Sequence, residues 1–191
     1  MASAGPNNGS TFADDSSVGS VAWSNPANAQ YSDNVYAIAS FASATISHYL
    51  KATGFGFSIP ANAVINGILV EVERKSAVGN TVKDNSVKIV KGGVISGNEK
   101  ANTAVYWPTS DAYASYGGSA DLWGLTWTAA DINTSNFGVV ISAKVSSTNA
   151  LYGGSIDHIR ITVYYTAVNT YTYTGSGLIQ TSGSASVSKT K

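Results

Sequence analysis

The clearest pattern in the chain is INGILVEVERKS, residues 65–76. Ile68, Val70 and Val72 fall on one side of an extended backbone, and Leu69, Glu71 and Glu73 on the other. That is the two-residue period of a strand with one buried face. NSVKIVKGG (85–93) repeats it, with Val87 and Ile89 inward and Lys88 outward. NFGVVISAKV (136–145) places Phe137, Val139 and Ile141 on one face. SIDHIRITVYYT (155–166) points Ile159, Ile161, Val163 and Tyr165 at the core, and His158, Arg160, Thr162 and Tyr164 outward.

Shorter runs read as further strands. NVYAIASFA (34–42), SHYLKATGFGFSIP (47–60, ended by Pro60) and NTAVYWPTS (102–110, ended near Pro108) are rich in β-branched and aromatic residues. VAWSNPANAQ (21–30) opens apolar and breaks at Asn25-Pro26. VGNTVKDN (78–85) and GGVISGNEK (92–100) are turn chemistry. In TWTAADINTSNF, Thr128 followed three residues later by Asp131 predicts a capping box opening a single helical turn. Several short strands separated by turn signals predict an all-β, two-sheet antiparallel sandwich, jelly-roll-like. Its body is expected over 21–166, between an N-terminal arm (1–20) and a C-terminal β tail (167–191).

Composition narrows the function classes. The 191 residues carry 12% charged side chains and a net charge of zero. A basic field for nucleic acid and a polybasic membrane patch are both missing, so neither partner is expected. There is no cysteine, which excludes disulfides and thiolate zinc sites. The opening MASAGPNNGSTFADD has the form of no secretory signal, and no apolar run approaches the roughly 20 residues of a membrane helix. The expected place of synthesis is a host cytoplasm.

Catalytic chemistry is sparse. His48 and His158 are the two histidines, far apart in sequence. Asp157 and His158 adjoin on a strand and leave on opposite faces, so His158 reads as a surface or interface group and His48 as structural. Glu71 and Glu73 share a strand face at roughly 7 Å, within the span of glycosidase carboxylates, yet charge on a wet strand face is the ordinary arrangement. Gly92 and Gly97 have the separation of a phosphate loop, but Asn98 stands where that loop needs lysine. Asn8-Gly9-Ser10 and Asn133-Thr134-Ser135 are glycosylation sequons without a secretory context. Asp14, Asp15 and Asp33 lack the dense ligand spacing of a calcium loop. No enzyme activity, cofactor or metal is expected.

The stretch 106–127 concentrates Tyr106, Trp107, Tyr113, Tyr116, Trp123 and Trp127. Exposed, such rings would stack on sugars, with Trp107, Trp123 and Trp127 as the platform. The competing and favoured expectation is a plug that closes one end of the sandwich, its bends supplied by Gly117-Gly118 and Gly124. The tail, TYTYTGSGLIQTSGSASVSKTK (170–191), alternates Thr and Tyr and then mixes small residues with aliphatics. It predicts extended segments seeking a partner edge, with Tyr171, Tyr173, Leu178, Ile179 and Val187 as candidate interface residues.

DNVYA, YLKATGFGFSIP, INGILVEVERK, DLWGLTWTAADINTSNFGVVIS and IDHIRITVYY together resemble phage virion structural β-sandwich domains of capsid-decorating, tail and fibre proteins. The resemblance covers roughly 20–166, and the tail is similar to the Tyr-, Gly- and Ser-rich segments that follow such domains. It implies a virion location and no catalytic signature. The expected function is a capsid-decorating (cement) protein, a homotrimer whose partners are itself and the major capsid protein or another virion protein. A tail or receptor-binding component and a carbohydrate-binding module are the alternatives.

Overall fold

A computed structural model describes residues 1–145, 152–168, 170–172 and 186–188. In chain order the elements are β1 (Ala2–Asn8), β2 (Thr11–Asp15), β3 (Trp23–Ser24), a 3-10 turn (Pro26–Ala29), β4 (Ala37–Phe41), β5 (Thr45–Ile46), β6 (Tyr49–Thr53), β7 (Val64–Ser76), β8 (Val82–Lys91), β9 (Val94–Ser96), β10 (Ala112–Gly118), α1 (Ala129–Asn133), β11 (Gly138–Val145), β12 (Tyr152–Thr166), β13 (Thr170–Thr172) and β14 (Ser186–Ser188). Two antiparallel six-stranded sheets form a sandwich. The first runs β10-β7-β12-β4-β3, with β1 also on β12; the second runs β2-β6-β11-β8-β9, with β5 also on β11. Among the described residues no sheet closes into a barrel.

The four longest strands divide equally between the sheets. β7 and β12 lie together in the first, β8 and β11 in the second. The chain therefore changes sheet between β7 and β8 and again between β11 and β12, and the inward faces of all four strands meet in the core. Ile68, Val70, Val72, Val87, Ile89, Val139, Ile141, Ile159, Ile161 and Val163, the residues whose periodicity pointed inward, are all fully buried. Each such side chain contributes about 1.5–3 kcal/mol through burial. The Thr128 box forms as predicted. The Thr128 hydroxyl accepts from the Asp131 amide at 3.2 Å, the Asp131 carboxylate accepts from the Thr128 amide at 2.8 Å, and one short helix follows.

The expected N-terminal arm is corrected. β1 pairs with β12 from Ala2↔Tyr165 to Asn8↔Arg160, and β2 pairs with β6 from Thr11↔Thr53 to Asp15↔Tyr49. One strand of the opening segment thus joins each sheet. Both are outermost strands with mostly exposed side chains, so their small polar composition resembles that of a linker. Ala4 and Phe12 are the inward contacts that tie them to the core.

Other boundaries shift for local reasons. β6 stops at Thr53 because Gly54 and Gly56 take positive φ, 73° and 63°. The expected strand over 102–110 is irregular, held by one bridge (Lys83↔Tyr106) and the Trp107 amide on the Val82 carbonyl. GGVISGNEK is not all turn, since Val94–Ser96 folds back on β8 as β9. β8 begins at Val82, within the segment expected to be turn.

A polar knot sits inside this core. Asp84 on β8 is fully buried and accepts from Trp107 Nε1 (2.7 Å), Tyr116 OH (2.9 Å) and the Asn102 amide (3.0 Å). Arg74, 5% exposed on β7, lies 3.5 Å from the same carboxylate and 4.8 Å from the Trp107 ring. Burial, with the Asp84 charge beside it, pushes the Tyr116 phenol far above its usual range. This knot joins the sheets through a strand of each.

Candidate functional site

The outward face of the first sheet carries the densest polar cluster. Register sets its rows: Tyr113, Glu73 and His158 align across β10, β7 and β12, and Ser115, Glu71 and Arg160 form the next row. Glu71 receives a two-pronged hydrogen bond from Arg160, Nε at 2.9 Å and Nη2 at 3.2 Å, which holds the guanidinium above its ordinary pKa. The Arg160 guanidinium also lies 4.1 Å from the centre of the Tyr113 ring.

His158 is the centre of the cluster and is only 6% exposed. Its Nε2 meets Asn8 Oδ1 at 2.8 Å and its Nδ1 meets Tyr113 OH at 2.8 Å. A carboxamide oxygen only accepts, so Nε2 carries the proton and Nδ1 accepts from the phenol. The imidazole is neutral and saturated. Burial, then the nearby Arg160 charge, lowers its pKa. Sequence alternation put His158 on the correct face but missed its cover, because Asn8 comes from β1, 150 residues away.

Beside a register irregularity between Ile156 and His158, Asp157 is covered by the loop 31–36. Asp157 is 1% exposed. Its Oδ2 accepts the Asn34 amide at 3.1 Å and thereby holds the loop 31–36 against β12. The same loop sends Tyr36 OH to Asp111 Oδ2 (3.0 Å), and Lys75 Nζ reaches both, at 2.6 and 3.1 Å. Burial raises the Asp157 pKa, with the Glu73 and Asp111 charges acting in the same direction. One oxygen each of Glu73, Asp111 and Asp157 is buried without a hydrogen-bond partner. Tyr31 and Val35 on the loop and Tyr113 beside it are exposed, at 55%, 50% and 37%.

Both ring nitrogens of the cluster's histidine are engaged by structural partners, and neither contacts a Ser, Thr or Lys side chain that could serve as a nucleophile. His48 is likewise engaged: Nδ1 meets Asp14 Oδ2 at 2.7 Å, while Asp14 Oδ1 accepts the Trp23 amide at 2.8 Å. Asp15 is bound by Ser17, whose hydrogen bonds lower its pKa, and lies 3.6 Å from Lys51 Nζ. Asp33 accepts the Val35 amide. Among the described residues no group of three or more acidic, His or Cys side chains is arranged to hold a metal.

The candidate sugar platform is corrected. Trp107 and Trp123 are 1% and 0% exposed. Their indole N–H groups go to Asp84 and to the Ile68 carbonyl (3.0 Å). Trp127 is partly buried, edge-on to Phe137, and donates to the Leu122 carbonyl. Trp107 and Trp123, buried with satisfied N–H groups, offer no face to a sugar, while Trp127 keeps part of its surface. The stretch is also less loop-like than expected, since β10 lies within it.

Of the candidate interface residues, Tyr171 lies on β13 and Val187 on β14, which pair with each other in parallel through Tyr171↔Val187. Tyr173, Leu178 and Ile179 lie outside the described residues. Upstream, the pairing Ala2↔Tyr165 brings the start of the chain beside the end of β12, where the tail begins. His158 and Tyr165 are seven residues apart on that strand, about 23 Å at the usual rise. The start of the tail, after Thr166, therefore lies roughly 20 Å or more along β12 from the Tyr113–His158 cluster, which sits near the middle of that strand. No family model matches the chain, and no curated protein matches it either.

Proposed function

We propose that the chain is a non-catalytic virion structural protein of a phage, acting as a capsid-decorating protein that assembles with copies of itself on the major capsid protein. The observation that carries this reading is the two-ended layout of the first sheet. Both the N-terminus and the start of the tail leave at the Tyr165 end, while the exposed rings of Tyr31 and Tyr113 lie toward the other. One end suits attachment and the other faces away from it. The resemblance of residues 20–166 to virion sandwiches supports the same class, as does a histidine whose nitrogens are both committed.

The test is direct. Particles of the phage that encodes the chain should contain it in many copies, and cryo-electron microscopy should place it on the capsid shell. Its absence from purified particles would end the proposal. The exposed Tyr31, Val35 and Tyr113 favour a second reading, a tail or receptor-binding component. Density at the tail tip rather than the shell would select that reading.

A further inference from the structure

The outer strands of the two sheets differ in what they offer a second chain. β1 contains Pro6 and a register irregularity between Ala4 and Asn7. β2 ends in Asp14 and Asp15, β3 has two residues and β9 has three. Each feature discourages intermolecular pairing. β10 has none of them. Its seven residues, AYASYGG, carry no charge and no proline, and among the described residues it pairs on one side only, with β7. Tyr113 reaches back across the sheet to His158 and Arg160, away from the open edge.

The strand is complementary to itself in side-chain volume. Laid antiparallel against its own copy about its midpoint, Ser115, it sets Ala112 opposite Gly118, Tyr113 opposite Gly117, Ala114 opposite Tyr116, and Ser115 opposite Ser115. Each tyrosine meets a glycine or an alanine, so no two large side chains collide. A twofold contact demands such a pattern, because residue i meets j and j meets i. Charge does not oppose the approach. The chain is neutral overall, and the flanking Asp111 and Asp121 are paired with Lys75 (3.1 Å) and Lys100 (2.6 Å).

We propose that β10 is a homotypic interface, where a second copy of this chain adds its own β10 antiparallel with Ser115 opposite Ser115, joining two six-stranded sheets across a twofold axis. For its biological setting this rests on the assembly reading above, but it makes the pairing unit twofold and does not involve the tail. Seven-residue edges bury well under the roughly 800 Å² per partner of a stable interface. The pair is therefore weak in solution and is strengthened where copies are arrayed.

The chain has no native cysteine, so Ser115→Cys in the full chain introduces a single thiol. Directly opposed strand residues lie within the Cα separation a disulfide spans, about 4.4–6.8 Å. Under oxidation at about 0.5 mM protein, Ser115→Cys should cross-link at least about tenfold faster than Thr11→Cys on the β2 edge. In sedimentation velocity at the same concentration the wild type should populate a dimer. Ser115→Lys, which sets two ammonium groups face to face, should weaken that dimer at least about tenfold while keeping the wild-type circular dichroism and melting curve. Removing 167–191 should leave the dimer intact, which separates this claim from tail docking. A monomeric wild type, a Ser115→Lys chain that dimerises as well as wild type, cross-linking no faster than Thr11→Cys, or loss of the dimer with the tail would each overturn it.

Discussion

Two buried ionisable residues one position apart give the chain opposing pH dependences. The folded pKa of His158 is lowered by burial and by Arg160, so the unfolded chain binds more protons, and stability falls as pH drops below about 6.5. Asp157 is raised by burial and by Glu73 and Asp111. There the folded chain binds more protons, and the stabilising contribution present at low pH is lost as pH rises through the folded pKa. In Asp157→Asn, an amide N–H donor replaces a buried oxygen that lacks a partner. That variant should be more stable than wild type at pH 8, by on the order of 1 kcal/mol, and its advantage should shrink toward pH 4. His158→Gln should flatten the loss between pH 7 and 5. Urea midpoints across pH 4–8 measure both, and an Asp157→Asn advantage that grows toward acid would contradict the assignment. Asp84→Ala removes the acceptor shared by Trp107, Tyr116 and Asn102 and leaves the buried Arg74 without its carboxylate. It should cost about 3–5 kcal/mol, read from denaturant unfolding. Arg74 keeps phase with Ile68, Val70 and Val72, a period that places it inward although it was not assigned to that face. Its partner was not legible, because Asp84 meets it across two sheets.

Inward aliphatics recurring at every second position announce a strand, and β7, β8, β11 and β12 were readable for that reason. The outermost strands were not. β1, β2 and β10 keep most side chains in solvent, and their small residues match loop composition. What makes them strands is a long-range partner: Asn8 meets Arg160 and Thr11 meets Thr53. Deleting residues 1–9 should therefore do what removing an arm would not. It strips the lower half of β12 of its neighbour and His158 of Asn8. Amide exchange in Arg160–Tyr165 should accelerate sharply, and the melting temperature should fall by several degrees. Unchanged exchange there would mean that β1 is dispensable. The tryptophans were misplaced as candidate sugar contacts for a related reason. Composition marks rings but not their burial, and the tight positive-φ bends at Trp123 and Gly124, 57° and 70°, tuck them under the sheet.

For the whole molecule, the sandwich was legible and its use was not. Sheet number follows from alternation and turn spacing, which act locally. Assembly depends on surfaces that no period encodes. The proposed role places attachment at the Tyr165 end, where the tail starts, and leaves the Tyr113–His158 cluster clear of it. The most direct measurement is co-sedimentation of the full chain, and of the chain truncated after Thr166, with capsids of the phage that encodes it. Both proteins should show the same far-UV circular dichroism, since the two six-stranded sheets end by Thr166. The full chain should pellet with the capsids and the truncated one should remain in solution. A full chain that stays in solution, or a truncated chain that pellets equally well, would contradict the account.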